Sequence, residues 1–202
     1  MITINNISKS FNGKCVLNNI TFEIIDNSIT TIIGPNGIGK TTILNILCDV
    51  LSPDSGTIEY SSGIPKDIFT VLSGSQHLYA KNTVEENVIF LSILRGLSMF
   101  EIEQNIKKYE PYVPIYSSLK KKLFEELSSG QKQLITLYAA LIANATYLIL
   151  DEPTEGLDLN HKNNLKNVLS YVRTFKTVIM TSHDIEFVSC LSDKLIFLQD
   201  GQ

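Results

Sequence analysis

The strongest constraint on this chain is the stretch GPNGIGKTT, residues 34–42, which follows the apolar run ITTII at residues 29–33. A continuous run of β-branched residues is typical of a strand covered on both faces. The apolar spacing after the stretch predicts a helix over Thr41 to Leu51. Glycines let backbone N–H groups turn inward around an anion, and the helix adds the positive end of its dipole. This order predicts a phosphate-binding loop.

Two side chains of this loop have the chemistry that a nucleotide requires. Lys40 would reach the β and γ phosphates, and the Thr41 hydroxyl would ligate Mg²⁺. By residue usage the pattern arises by chance in about one chain of this length per hundred, and a structural glycine-rich turn is the alternative. The predicted nucleotide-contacting residues of the loop are Gly34, Pro35, Asn36, Gly37, Ile38, Gly39, Lys40, Thr41 and Thr42.

A pair of carboxylates follows a second apolar run. Tyr147 to Leu150 ends in Asp151 and Glu152, so a buried strand would deliver both acids to the carboxyl edge of a sheet, where α/β proteins bind ligands. Asp151 can hold Mg²⁺ through water, and Glu152 can polarise an attacking water. Taken alone, such a pair is more often the start of a solvated loop. Beside a phosphate loop it indicates catalysis.

Composition narrows the function classes. The 202 residues suffice for one substantial core, so we predict a single domain over residues 1–202. A net charge of −4 lacks the basic surface that nucleic acid binding needs, so we expect no nucleic acid partner. Cys15, Cys48 and Cys190 have no metal-ligand spacing, which predicts buried thiols in a reducing compartment. No segment has the roughly 20 apolar residues that span a bilayer, and we expect a soluble cytoplasmic chain.

The remaining patterns predict an α/β fold. Alternation at residues 20, 22 and 24 and the Asn12-Gly13 turn signal indicate an N-terminal antiparallel β subdomain. The buried runs, with Val178 to Met180 added, indicate a mainly parallel central sheet. Thr83 with Glu86, and Ser98 with Glu101, have capping-box spacing. Helical spacing therefore predicts an inserted helical subdomain over about residues 77–144. The positions that show this spacing are Val84, Val88, Leu91, Leu134, Leu137, Tyr138 and Leu141.

A third motif lies upstream of the carboxylates. In Leu127-Ser128-Ser129-Gly130-Gln131, a hydroxyl, backbone N–H groups and the start of a helix near Gln131 converge on a place for an anion. An ordinary serine cap is the alternative. Together with the order of the other motifs, this segment resembles the signature of the nucleotide-binding subunits of ABC transporters. The resemblance covers essentially the whole chain and implies a P-loop NTPase of the ABC ATPase type.

Four further residues match that family in order. Gln76 resembles the glutamine that touches Mg²⁺ and the lytic water, and His183 resembles the switch histidine at the γ-phosphate. Asp158 resembles the D-loop aspartate that reaches across a dimer, or it caps a helix, and both roles are compatible. Phe11 resembles the aromatic residue that stacks on adenine, and a core phenylalanine is the alternative.

Three positions depart from the family pattern. Ser129 replaces the first glycine of the signature pair, and Glu155 stands where the D-loop commonly has serine. The chain ends at residues 200–202, where family members usually continue into a further strand and helix. A minimal subunit and a truncated chain are both compatible with this ending.

The resemblance implies an ATPase with ATP and Mg²⁺ as cofactors. Glu152, His183, Gln76 and Lys40 would be catalytic, with Thr41, Gln76 and Asp151 at the metal. Two subunits, as a homodimer or heterodimer, would pack head to tail with each ATP between the phosphate loop of one and the signature of the other. They would power membrane permease subunits on separate chains, from the cytoplasmic face of the membrane.

The segment TVEENVIFLSILRGLS, residues 83–98, resembles subunits of drug-export and haem-export systems, which leads us to expect an exporter. Two alternatives stay open. One is a soluble ABC-type ATPase that acts without transport. The other is a module that uses ATP only as a dimerisation switch, and the intact Glu152 argues against it.

Overall fold

The computed structural model describes residues 1–60, 67–71, 78–199 and 201. The strands are β1 (Ile2–Phe11), β2 (Lys14–Ile24), β3 (Ile29–Ile33), β4 (Ser55–Tyr60), β5 (Ile68–Val71), β6 (Tyr147–Leu150), β7 (Thr177–Ser182) and β8 (Lys194–Phe197). The helices are α1 (Lys40–Leu47), α2 (Val84–Leu94), α3 (Met99–Tyr109), α4 (Ile115–Leu119), α5 (Ser129–Ile142), α6 (Leu159–Val172) and α7 (Ile185–Ser189). Short 3₁₀ turns cover Glu110–Tyr112 and Phe124–Glu126.

The N-terminal strands form the predicted antiparallel sheet, in the order β2-β1-β4. Phe11 pairs with Lys14 across the turn, so Asn12 and Gly13 form the two-residue hairpin loop. Their φ angles are 50° and 79°. Positive φ at both central residues matches the right-handed twist of the flanking strands. The hairpin prediction is confirmed, and the turn places the Phe11 ring beside the phosphate loop.

The five-stranded sheet is parallel in the order β5-β6-β7-β3-β8. Every residue of β3, β6 and β7 is buried, as the unbroken apolar runs predict. Because parallel strands end at the same edge, the residues after Ile33, Leu150 and Ser182 lie close together. The sheet thereby brings the phosphate loop, the carboxylates and His183 to one place.

The helices α2 to α5 follow β5 and precede β6, in the region where the sequence predicts helices. Both predicted capping boxes are present. Thr83 Oγ1 accepts from the Glu86 amide at 3.2 Å, and Ser98 Oγ accepts from the Glu101 amide at 3.4 Å. In return, each glutamate carboxylate accepts from the backbone N–H of its cap residue. The limits of a subdomain over about residues 77–144, and the single-domain assignment, stay predictions.

Two expectations are wrong. Helix α1 ends at Leu47 rather than Leu51, because Asp49 takes a left-handed φ of 57° that turns the chain out of the helix. The thiols are not uniformly buried: Cys15 is exposed on β2, Cys190 is exposed after α7, and Cys48 is half-buried. Within the described ranges, no helix is long and apolar enough to cross a membrane.

Candidate active site

The phosphate loop curves tightly between β3 and α1. Gly39 has a φ of 112°, and a Cβ there would lie 2.7 Å from Leu17 Cδ2. A Cβ at Gly34 would lie 2.8 Å from the backbone oxygen of Leu198. Glycine is required at Gly39 by the positive φ and the contact with β2, and at Gly34 by the backbone directly after β8. The two end glycines of the motif therefore set the path of the loop.

Lys40 lies inside this curve and is only 6% exposed. Its ammonium group donates to the carbonyl of Gly34 at 2.8 Å and to that of Pro35 at 3.3 Å. It also lies 3.3 Å from Glu152 Oε1, a buried oxygen with no hydrogen-bond partner among the described residues. We read the contact as an ion pair whose geometry falls short of a hydrogen bond. The site therefore holds a buried positive charge at the position where the sequence predicts phosphate.

Asp151 is held from two sides at the end of β6 and is 6% exposed. Thr41 Oγ1 donates to its Oδ2 at 3.0 Å, and Thr181 Oγ1 donates to its Oδ1 at 2.5 Å. Thr181 also accepts from the Glu152 amide at 2.9 Å. Hydroxyl and carboxylate oxygens are the donors that Mg²⁺ prefers, so Thr41 and Asp151 fit the predicted metal site.

Thr181 is a site residue that the sequence motifs do not predict. This residue is fully buried in β7, and its one hydroxyl organises both acids. The available signal was a threonine directly after the apolar run Val178 to Met180, since buried hydroxyls almost always have a partner.

Glu152 and His183 form a second pair at the sheet edge. Glu152 has a φ of 47°, a left-handed conformation that costs a non-glycine residue free energy. Its Oε2 accepts from the His183 amide at 3.1 Å and lies 2.9 Å from His183 Nδ1. An ionised carboxylate at that distance accepts a hydrogen bond from Nδ1, which orients the ring. The imidazole is 59% exposed, so Nε2 is accessible to a ligand.

A cavity of about 400 Å³ lies over the phosphate loop and the carboxylates Asp151 and Glu152. Phe11 stands at its edge and is 43% exposed, which agrees with a stacking surface and not with a core phenylalanine. Thr42 also contributes to the wall. The lining residues are Phe11, Val16, Asn36, Gly37, Gly39, Lys40, Thr41, Thr42, Asp151 and Glu152. Phosphate loop and carboxylates thus share one cavity, as predicted.

The signature segment, residues 127–131, lies elsewhere. Ser128 caps α5, with its Oγ accepting from the Gln131 amide at 3.3 Å and its own amide donating to Gln131 Oε1 at 3.1 Å. Ser129 is the first residue of the helix and is exposed. In the described part of the chain, the cavity wall includes none of residues 127–131. The predicted cap is present, and the anion contact of this segment stays a prediction.

Asp158 caps α6 by accepting from the His161 amide at 2.9 Å. Its side chain is 64% exposed, so the carboxylate still faces solvent. Hydrogen bonds from the His161 backbone and ring hold the pKa of Asp158 below its ordinary value of 3.8, which keeps the group ionised at neutral pH. Gln76 lies outside the described residues.

Comparison with known proteins adds a family to this geometry. The model of the ABC transporter family matches residues 17–155. The chain belongs to the ABC transporter family. The tungstate uptake system ATP-binding protein TupC of Peptoclostridium acidaminophilum is 35% identical over 209 residues, covering 100% of this chain and 95% of that protein. The zinc import ATP-binding protein ZnuC of Buchnera aphidicola is 32% identical, covering 98% of this chain and 80% of that protein.

A solved structure agrees with the assignment. The ABC transporter component cbiO1 of Clostridium perfringens superposes with a TM-score of 0.88 at 26% identity, covering 99% of this chain and 85% of that one. The predicted ABC ATPase fold and ATP hydrolysis as its activity are confirmed. Within this family, the chain is an ATP-binding subunit. The expected export subtype has no support in these names, since both relatives are named for uptake or import.

Proposed function

We propose that this ABC subunit pairs head to tail with a second ATP-binding subunit, a copy of itself or a close relative, and hydrolyses ATP at two shared sites. The cycle of pairing and release would drive permease subunits on separate chains at the cytoplasmic face of the membrane. The relatives named for uptake and import favour inward transport of a small solute.

One observation carries the pairing. In the described part of the chain, helix N-termini suited to an anion lie at the phosphate loop and at Ser128, and of these two the first lines the cavity. The cavity is also open to solvent, and Phe11 is among the residues that line it. A second subunit that brings its Ser128 to this cavity would complete the shell of donors around the phosphates.

The residues in the cavity supply the chemistry of hydrolysis. Lys40 neutralises charge on the β and γ phosphates, and Thr41 and Asp151 would hold Mg²⁺, which when bound neutralises further phosphate charge. Glu152 accepts a proton from water as the water oxygen bonds to the γ-phosphorus and the bond to the bridging oxygen breaks. His183, oriented by Glu152, presents Nε2 to the γ-phosphate region. A protonated imidazole there would donate to a phosphate oxygen.

In this proposal the permease subunits dock on helices α2 and α3. Ile93 and Leu94 at the end of α2 and Met99 and Phe100 at the start of α3 are 50%, 66%, 48% and 70% exposed. They lie on either side of one short connection between α2 and α3, and all four are exposed. Exposed apolar patches of this kind mark protein interfaces. Phe100→Glu would therefore abolish copurification with a membrane protein, whereas Phe197→Glu on β8, equally exposed at 69%, would not.

The pairing is tested with Ser128→Arg in a Glu152→Gln background, where slow hydrolysis keeps ATP bound. An arginine at the cap would place a bulky cation where the partner's phosphates must approach. We expect the variant to bind ATP as a monomer and never to pair. Ser118→Arg makes the same change at an exposed serine of α4 and should pair normally. ATP-driven pairing of the Ser128→Arg protein would show that the signature does not enter the shared site.

A further inference from the structure

The first turn of α6 lies against the signature of the same chain. A Cβ built on Gly130 would lie 2.5 Å from both Cγ and Cδ2 of His161 and 3.0 Å from its Cβ. Gly130 is buried, and the imidazole is 25% exposed. Carbon atoms that are not bonded do not approach to 2.5 Å, so glycine is the residue that this packing allows at position 130.

The same imidazole is tied to the D-loop, residues 155–158. His161 Nδ1 lies 2.9 Å from Asp158 Oδ1, an oxygen that also accepts from the His161 amide. With Asp158 ionised, Nδ1 is the donor. The ring nitrogen Nδ1 therefore contacts the Asp158 carboxylate of the D-loop, and the ring carbons Cγ and Cδ2 face Gly130 of the signature. Its position sets the distance between the two segments.

The next residue of α6 reaches a third segment. Lys162 Nζ donates to Asp184 Oδ2 at 2.6 Å, and Asp184 directly follows His183. Asp184 is 19% exposed, and its Oδ1 caps α7 by accepting from the Phe187 amide. Lys162 thus fixes the backbone that carries the switch histidine.

From these contacts we propose that His161 and Lys162 are positioning residues that tie the D-loop, the signature and the His183 segment of one subunit into a single unit. The inference rests on the proposed function, because the signature must enter the site of the partner. A shift of His183 against its own nucleotide then moves the signature that faces the other nucleotide. Gly130 is required by the packing of its own subunit against His161.

A double-mutant cycle tests the packing. In the Glu152→Gln background, the measured quantity is the ATP concentration at half-maximal pairing. Gly130→Ala overpacks the His161 contact and should raise this ATP concentration about tenfold. His161→Ala loses the ring and its bond to Asp158 and should raise it about fivefold. In the double variant the two closest ring atoms are gone, and of the three nearest atoms the Cβ at 3.0 Å remains, which a shift of a few tenths of an ångström relieves. We expect the double variant to match His161→Ala alone.

Independent effects would multiply to about fiftyfold in the double variant, and that result would overturn the inference. Asn163→Ala, at an exposed position of the same turn, is the control and should not change pairing. ATP affinity of the monomers should be unchanged, because neither Gly130 nor His161 lines the cavity. If Gly130→Ala fails to fold, failure of His161→Ala to weaken pairing would still refute the proposal.

ATPase kinetics test the role of Lys162. Lys162→Ala should lower kcat for ATP several-fold and leave KM nearly unchanged, and Lys162→Arg should restore kcat. Equal loss in both variants would contradict a positioning role. If the parent Glu152→Gln protein itself does not pair with ATP, the proposed function fails. If it pairs and the cycle is multiplicative, only the inference on His161 fails.

Discussion

Replacing Thr181 by valine isolates the one hydroxyl that organises both acids of the site. Valine has nearly the same shape and is at home in a buried strand. The change removes the donor to Asp151 Oδ1 and the acceptor for the Glu152 amide, and it leaves the rest of β7 as it is. Thr181→Ser is the matched control, because it keeps the hydroxyl and loses only the methyl group.

The magnitude follows from the burial of these groups. Thr181 is fully buried and Asp151 nearly so, so water cannot replace the lost bonds without rearrangement. A hydrogen bond to a charged group contributes about 1.5–3 kcal/mol, and an unpaired buried amide costs about 1–3 kcal/mol. We expect Thr181→Val to lower the free energy of unfolding by about 3 kcal/mol. Thr181→Ser should cost about 1 kcal/mol for the methyl group.

Urea unfolding followed by circular dichroism measures both variants, with equal m-values as the condition for comparison. ATP turnover should fall much further in Thr181→Val than in Thr181→Ser, because the left-handed Glu152 loses the bond that holds its amide. Equal midpoints and equal turnover in the two variants would refute the argument that the hydroxyl organises the acids.

Three other changes test separate parts of the site. Lys40→Ala should abolish ATP binding or hydrolysis, and unimpaired turnover would contradict the phosphate-loop assignment. Phe11→Ala should weaken ATP binding about tenfold by loss of stacking, whereas Phe11→Tyr should not. If Phe11→Ala binds ATP as tightly as Phe11→Tyr does, adenine does not stack on this residue. The hydrogen bond from Lys162 holds the pKa of Asp184 below its ordinary value of 3.8, so the stability it contributes is present above about pH 4 and is lost as pH falls through the lowered value. Asp184→Asn should remove this loss of stability at acid pH. An unchanged pH dependence would contradict the ion pair between Lys162 and Asp184.

Much of the site could be predicted because its chemistry lies in short sequence motifs. The buried runs before residues 34 and 151 identify parallel strands, and strands of a parallel sheet must end at one edge. Lys40, Asp151 and Glu152 therefore meet for a reason that is visible in the sequence. Capping boxes are equally local, since the serine or threonine and the glutamate contact each other within one turn.

The missing parts depend on long-range packing. Thr181 contacts Asp151 across 30 positions of the chain, and His161 contacts Gly130 across α5 and β6. Strands β4, β5 and β8 escaped the sequence analysis because they are short and partly exposed, so their apolar patterns are weak. The exporter expectation rested on one helical segment, whose apolar pattern reports burial and an interface but not the direction of transport.

The central claim is that two subunits share their ATP sites, and the solution mass of the Glu152→Gln protein with and without Mg-ATP tests it most directly. Removing the carboxylate charge of Glu152 slows hydrolysis and should trap the closed pair. The account predicts a monomer without nucleotide and a dimer with Mg-ATP, returning to monomer in Lys40→Ala, Glu152→Gln. A protein that binds Mg-ATP and stays monomeric alone and with a related ATP-binding subunit would contradict it.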